Sequence, residues 1–121
     1  MAALVGDAAL VKAMIEKGAD IKAVVHDANE TPLHAAIAEG HREVAELLIN
    51  SGVDVNAENM SRRTPLHFLA TYMHDRKLAE LMIEKGANVN AEDKDGRTPL
   101  SFATRAGNDE VADVLRQHGG K

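Results

Sequence analysis

His34 and His67 stand 33 residues apart, and each closes a nearly identical string: Thr31-Pro32-Leu33-His34 and Thr64-Pro65-Leu66-His67. Imidazole is the side chain most used to bind metals and to move protons near neutral pH, so a recurring histidine is the first place to look for chemistry. The others are His26, His41, His74 and His118. A zinc site needs its ligand nitrogens about 2 Å from one ion. If the two strings open neighbouring helices, those axes lie about 8–10 Å apart, too far for both rings to share an ion unless the side chains converge. The chain has no cysteine, so it offers no thiolate ligand, disulfide or cysteine nucleophile.

Ser101 takes the histidine's place in a third string, Thr98-Pro99-Leu100-Ser101. A serine with histidines and aspartates elsewhere suggests a hydrolytic triad, but no nucleophile elbow or oxyanion loop surrounds it. A hydrogen bond within the first turn of a helix accounts for it better. No glycine-rich phosphate loop occurs. Glu92, Asp93 and Asp95 cluster beside Gly96, yet the alternation and terminal glutamate of a calcium loop are missing, so the cluster reads as a turn. No cofactor and no catalytic activity are expected. His74 falls outside any recurring string and is expected to face solvent.

The three strings recur at offsets of 33 and 34 residues, and the segments after them recur as well. Ala45-Glu46-Leu47-Leu48-Ile49 answers to Ala79-Glu80-Leu81-Met82-Ile83 and to Ala112-Asp113-Val114-Leu115. Gly52-Val53-Asp54-Val55-Asn56-Ala57 answers to Gly86-Ala87-Asn88-Val89-Asn90-Ala91. A fixed period of this size marks a stacked repeat. In the cleanest unit Thr31 is the N-cap and Pro32 the first helical residue, where its missing N–H costs nothing. That helix is expected to run to about Glu39 and stop at Gly40. A second is expected over about Arg42 to Asn50, burying Val44, Leu47, Leu48 and Ile49, with Gly52 ending it and Val53 to Ala57 extended.

The next unit has one residue more. Phe68 to Lys77 is ten long where Ala35 to Glu43 is nine, which should lengthen the inner helix or distort the turn after it. The last unit has a polar outer helix, as suits an end repeat with one face in water. Leu10, Val11, Met14 and Ile15, with Gly18 after them, look like the rear half of a repeat. The expected organisation is one domain over residues 1–121: a partial repeat at 1–23, repeats at 31–63 and 64–97, and a C-terminal capping repeat at 98–121. In the turn before each Thr-Pro-Leu, Gly96 takes positive φ freely and Asn29 moderately. Arg62 does so at a cost, so that turn is either differently shaped or strained.

The bulk composition agrees. Aromatics make up 2% of the 121 residues while 45% are apolar, so the core must come from Leu, Val, Ile, Met and closely packed Ala. With a net charge of −5 and no basic run, nucleic acid and anionic membranes are disfavoured partners. No stretch is long enough to span a bilayer, and Met1 to Val5 is too short for a signal peptide. The lack of cysteine fits a reducing, cytoplasmic compartment.

Thr-Pro-Leu-His, then Gly-His, a Leu-Leu helix and Gly-Val-Asp-Val-Asn-Ala together resemble the ankyrin repeat. The likeness covers residues 31–118, and partially residues 2–23. It implies an all-α ankyrin solenoid: helix-turn-helix units joined by β-turn or hairpin loops and stacked into a gently curved L. It also implies a binding module without catalytic activity, met by partners on its concave face, with each string's histidine hydrogen-bonding backbone within its own turn. Asn56 and Asn90 match positions where ankyrin asparagines can be hydroxylated by a dioxygenase. The chain departs from the family pattern at Arg62, at the insertion Tyr72-Met73-His74 and at the missing front of the first repeat.

On that register Met60, Arg63, Lys94 and Arg97 point from the turn tips, and Glu39, Tyr72, Met73 and Arg105 from the inner helices. None is needed for the repeat to fold. Tyr and Arg are enriched at binding hot spots, which sit near an interface centre, and Tyr72 is the single tyrosine, in the central repeat. The expected site is Tyr72 with Met73, flanked by Arg63, Arg97 and Arg105. The alternative is that Tyr72 fills space left by the insertion. The first tip, Asp27 to Glu30 with Glu39, is acidic, whereas Arg62, Arg63, Lys94 and Arg97 make the next two basic, a gradient that would orient a partner. The expected function is a monomeric, non-catalytic protein-interaction module. A regulatory segment of a larger enzyme, channel or effector is the alternative, and an idealised scaffold is opposed by Arg62 and the insertion.

Overall fold

The computed structural model describes residues 31–121; the half repeat expected at residues 1–23, the first turn tip and Asn29 lie outside them. Six helices occur in order: α1 (Pro32–Ala38), α2 (Arg42–Asn50), α3 (Pro65–Tyr72), α4 (Arg76–Glu84), α5 (Pro99–Arg105) and α6 (Asp109–Gln117). Each odd helix opens with an extended threonine and a proline in its first turn. That pairing fixes where the helix starts, because proline's φ is preset and threonine's oxygen can take a free N–H. Thr31 Oγ1 accepts from the His34 N–H at 3.3 Å, and Thr98 Oγ1 from the Ser101 N–H at 3.3 Å.

Packing runs between neighbours. α1 lies on α2 and α3, α3 on α5, and α5 on α6, while α4 joins α2 to α6. An inner row α1–α3–α5 is thus backed by an outer row α2–α4–α6. Between the rows lie Leu33, Ile37, Val44, Leu48, Leu66, Leu69, Leu78, Met82, Val111 and Leu115, all at most 2% exposed, with alanines filling the close approaches. Removing one such leucine side chain costs about 2–5 kcal/mol. Leu47, expected inside, is half-buried, and Ala45 is buried instead. At 100° per residue, positions 44, 45, 48 and 49 share the inner stripe and 47 falls on its flank.

The extra residue lengthens α3 to eight residues against seven in α1 and α5. It also replaces the turn. α1 is followed by Gly40 at φ 76° and α5 by Gly107 at φ 69°, whereas α3 ends at Met73 in extended backbone, φ −131° and ψ 126°. The carbonyls of Ala70 and Met73, which this leaves open, are taken up by the next repeat, while that of Leu69 already accepts the Met73 N–H at 3.0 Å. Asn108, fully buried as the N-cap of α6, points its Nδ2 at the carbonyls of Met73 (2.8 Å), Ala70 (3.0 Å) and Leu69 (3.4 Å). Its Oδ1 accepts the Val111 N–H at 3.3 Å.

The turn tips are built alike. Asn59 Oδ1 accepts the N–H groups of Ser61 (2.9 Å) and Arg63 (3.0 Å), and Asp93 Oδ1 those of Asp95 and Arg97 (both 2.9 Å). Arg62 N–H bonds to the Asn59 carbonyl at 2.9 Å, as Gly96 N–H does to that of Asp93 at 3.0 Å. The two turns therefore share one shape, and Arg62 reaches it at φ 61°, the left-handed region, alone among the described non-glycine residues. A side chain there costs about 1–2 kcal/mol. Between repeats, Asn56 Nδ2 donates to the Gly86 carbonyl (2.9 Å) and its Oδ1 accepts from Asn88 N–H (2.7 Å). Asn90 does the same with Gly119 and Lys121.

Candidate functional site

The two recurring histidines are bound on both ring nitrogens. His34 Nδ1 accepts the Thr31 backbone N–H at 3.1 Å, and Nε2 lies 2.9 Å from the Arg63 carbonyl. A backbone N–H can only donate, so Nδ1 carries the lone pair and Nε2 carries the hydrogen. His67 repeats this with Thr64 N–H (3.0 Å) and the Arg97 carbonyl (2.9 Å). Each ring therefore bonds its own turn, as the resemblance implied, and also reaches the following turn. Phe68 and Phe102 pack edge-on to these rings, at 4.9 and 5.3 Å. Burial pushes both imidazoles below their ordinary value, against the pull of the Arg63 and Arg97 carbonyls. Neutral, saturated and buried, these rings stitch turns together and have no free lone pair for a metal or a proton transfer.

The Glu92–Asp95 cluster resolves similarly. Besides holding its own turn, Asp93 receives the Arg63 Nε at 3.3 Å, and its side chain is 1% exposed. Burial opposes its ionisation. The N–H groups of Arg97 and Asp95 and the Arg63 guanidinium outweigh that and hold the carboxyl below the usual range. Arg63 in turn lies 5.1 Å from the centre of the Phe102 ring. His74 is exposed, and its Nδ1 lies 3.2 Å from Glu110 Oε2 on α6.

Around Arg63 the inner row opens into a groove of about 330 Å³. Met60, Arg63, Phe68, Tyr72 and Phe102 are among the residues that line it. Met60 is 55% exposed and Tyr72 57%; they are the exposed large apolar side chains among the described residues. Tyr72 leans on Phe68, ring centres 5.7 Å apart at 71°. Of the eight residues expected to meet a partner, Met60, Arg63 and Tyr72 are thus brought together. Met73 is half-buried against the core. Glu39, Lys94 and Arg105 are exposed outside the groove walls, and Arg97 is half-buried at the adjacent turn. Sequence reasoning missed Phe68 and Phe102. Their signal was the aromatic directly after the string's fourth residue, His67-Phe68 and Ser101-Phe102.

A family model described as ankyrin repeats in three copies matches residues 1–59 and 57–121. The chain belongs to the ankyrin repeat family. Its ankyrin repeats are similar to parts of much larger proteins. A probable E3 ubiquitin-protein ligase of Oryza sativa subsp. japonica is 43% identical over 44 residues, covering 36% of this chain and 9% of that protein. A potassium channel of the same organism is 34% identical over 59 residues, 49% of this chain and 6% of the channel. The 2-5A-dependent ribonuclease of Mus musculus is 35% identical over 60 residues, 50% of this chain and 8% of the enzyme. The chain thus spans under a tenth of the length of these relatives. Ankyrin repeats are protein-interaction modules, and the ankyrin fold is the part these proteins share with this chain. Among the described residues no helix is long and apolar enough to cross a membrane.

Proposed function

We propose that this ankyrin chain is a non-catalytic module that binds another protein on the concave face formed by the turn tips and the inner helices, centred on the groove between Met60 and Tyr72. One observation carries the reading. Both exposed large apolar side chains of the described residues border the same groove. A folded chain gains nothing by leaving them in water, and large apolar side chains brought to one groove are a mark of a binding surface. Arg63 borders the same groove, and Lys94, Arg97, Arg105 and Glu39 supply the polar surround; with Met73 they complete the proposed contact set.

The test uses the chain as bait in extracts of its source cells, beside the variants Tyr72→Ala and Arg105→Ala. Specific partners should be lost or weakened with Tyr72→Ala. Partners recovered by both variants as well as by the parent chain would place the contact elsewhere.

A second reading is favoured by the relatives, in which similar ankyrin segments are under a tenth of the protein. Here the module regulates or localises a larger enzyme, channel or effector of which it forms part. Sequencing the reading frame upstream of Met1 decides: an open frame into a further domain supports this reading, and an in-frame stop directly before Met1 with no coding sequence beyond it ends it.

A further inference from the structure

We infer that Asp93 is a positioning residue for the groove: its buried carboxylate holds the Arg63 guanidinium over Phe102, so that a partner meets this cation already in place. This rests on the protein-binding reading above and adds a residue, outside the groove lining, on which that surface depends. Asp93 carries a charge that its turn does not need. Its Oδ1 accepts the N–H groups of Asp95 and Arg97, both at 2.9 Å. Asn59, at the same place in the preceding turn, accepts those of Ser61 and Arg63 at 2.9 and 3.0 Å with a neutral amide. A carboxylate that is 1% exposed is costly unless it is paired. The second oxygen supplies the pair: Oδ2 accepts the Arg63 Nε–H at 3.3 Å.

Arg63 is fixed in backbone and side chain alike. Its N–H donates to Asn59 Oδ1, and its carbonyl accepts from Asn59 N–H at 3.1 Å and from His34 Nε2 at 2.9 Å. Asp93 takes Nε, and the guanidinium carbon lies 5.1 Å from the Phe102 ring centre. The Nη groups make no hydrogen bond among the described residues, so their donors remain for a partner. Arg97 is the internal comparison. Asp93 and His67 hold its backbone in the same way, yet among the described residues its side chain has no ion pair and no ring contact. A side chain ordered before binding loses less freedom on binding than a loose one.

The experiment uses the full 121-residue chain and the conservative variant Asp93→Asn, which can keep the turn as Asn59 does but would set an amide N–H against Arg63 Nε–H. Relaxation of the arginine Nε–H groups by nuclear magnetic resonance needs no partner. The Arg63 order parameter should lie above about 0.6 in the parent and that of Arg97 below it. Asp93→Asn should bring Arg63 down to the level of Arg97 while the backbone amide shifts of Asp95 and Arg97 stay in place. A mobile Arg63 in the parent, an Arg63 unchanged in the variant, or loss of the fold with Asp93→Asn would overturn the inference. The binding role is read with peptides selected from a displayed random library on the parent and rejected by Tyr72→Ala, labelled with fluorescein and measured by anisotropy. Asp93→Asn should weaken them about two- to tenfold, and should cost nothing further in an Arg63→Ala background, whereas a merely structural role would cost the same in both. Equal losses in the two backgrounds, or no loss in either, would overturn the inference and leave the groove standing through Tyr72. If no peptide depends on Tyr72, the groove reading falls, and the binding role of Asp93 falls with it.

Discussion

His34 Nε2–H donates to the carbonyl oxygen of Arg63 at 2.9 Å, so one repeat's histidine fixes the turn of the next. His67 holds Arg97 in the same way. Arg63 is also the residue that borders the groove, bonds Asp93 and lies over Phe102. The histidines that first suggested chemistry therefore act one step from the surface proposed to bind, by setting the turns that carry it.

The two rings give stability a defined pH dependence. Their folded pKa values are lowered, by burial first. Below about pH 6.5 the unfolded chain binds protons that the folded one refuses. Their contribution is thus complete above that pH and is lost as pH falls toward the depressed folded values, with a limiting slope of about 1.4 kcal/mol per pH unit per ring. Urea midpoints measured from pH 7.5 to 5 should fall with acid, and His34→Gln/His67→Gln should flatten the curve. Asp93 is lowered as well, through the N–H groups that overcome its burial, so its contribution is present above the ordinary carboxylate range and is lost only below about pH 4. A midpoint independent of pH between 7.5 and 5 would contradict the neutral-ring assignment.

Asn108 should be the most sensitive polar residue outside the histidines. It caps α6 and also takes the carbonyls that the insertion strips of their turn. Asn108→Ala should cost about 2–3 kcal/mol, a lost cap plus carbonyls left unpaired. Asn108→Asp separates the two roles. Aspartate caps as well as asparagine does but cannot donate to Ala70 and Met73, so it should be destabilised at least as much as the alanine variant. Full stability of Asn108→Asp in chemical denaturation would show that the carbonyl contacts carry no weight.

Arg62 is held at φ 61° with its Nε 3.7 Å from Glu58. Glycine takes this conformation without the side-chain penalty, and an exposed pair is worth under about 1 kcal/mol. Arg62→Gly should therefore stabilise by up to about 1 kcal/mol, read as a raised thermal midpoint, while Arg62→Ala should not. A lower midpoint for Arg62→Gly would mean that the ion pair outweighs the strain.

What the sequence disclosed was whatever is decided within a few residues. Thr31, Pro32 and Gly40 bound α1 through local backbone preferences, and the repeat period was enough to place Met60, Arg63 and Tyr72 on one side. What it hid depends on contacts across repeats. The Asn108 bonds to α3 span 35 to 39 residues, and nothing near Asn108 announces them. The link from His34 to Arg63, 29 residues on, was invisible for the same reason. Leu47 was misplaced because its neighbours suggested a broader apolar face than two helix layers can cover. Phe102 was passed over because an aromatic after the Thr-Pro-Leu string reads as core, whereas it is half-buried beneath a guanidinium.

The central proposal is that a protein partner contacts the groove at Tyr72. The most direct measurement replaces Tyr72 with a photo-crosslinking phenylalanine analogue and, in a separate chain, does the same at Lys77, exposed on the outer helix α4. Irradiation in source-cell extract should give a discrete covalent adduct from position 72 and none from position 77. Adducts from position 77 alone would contradict the account.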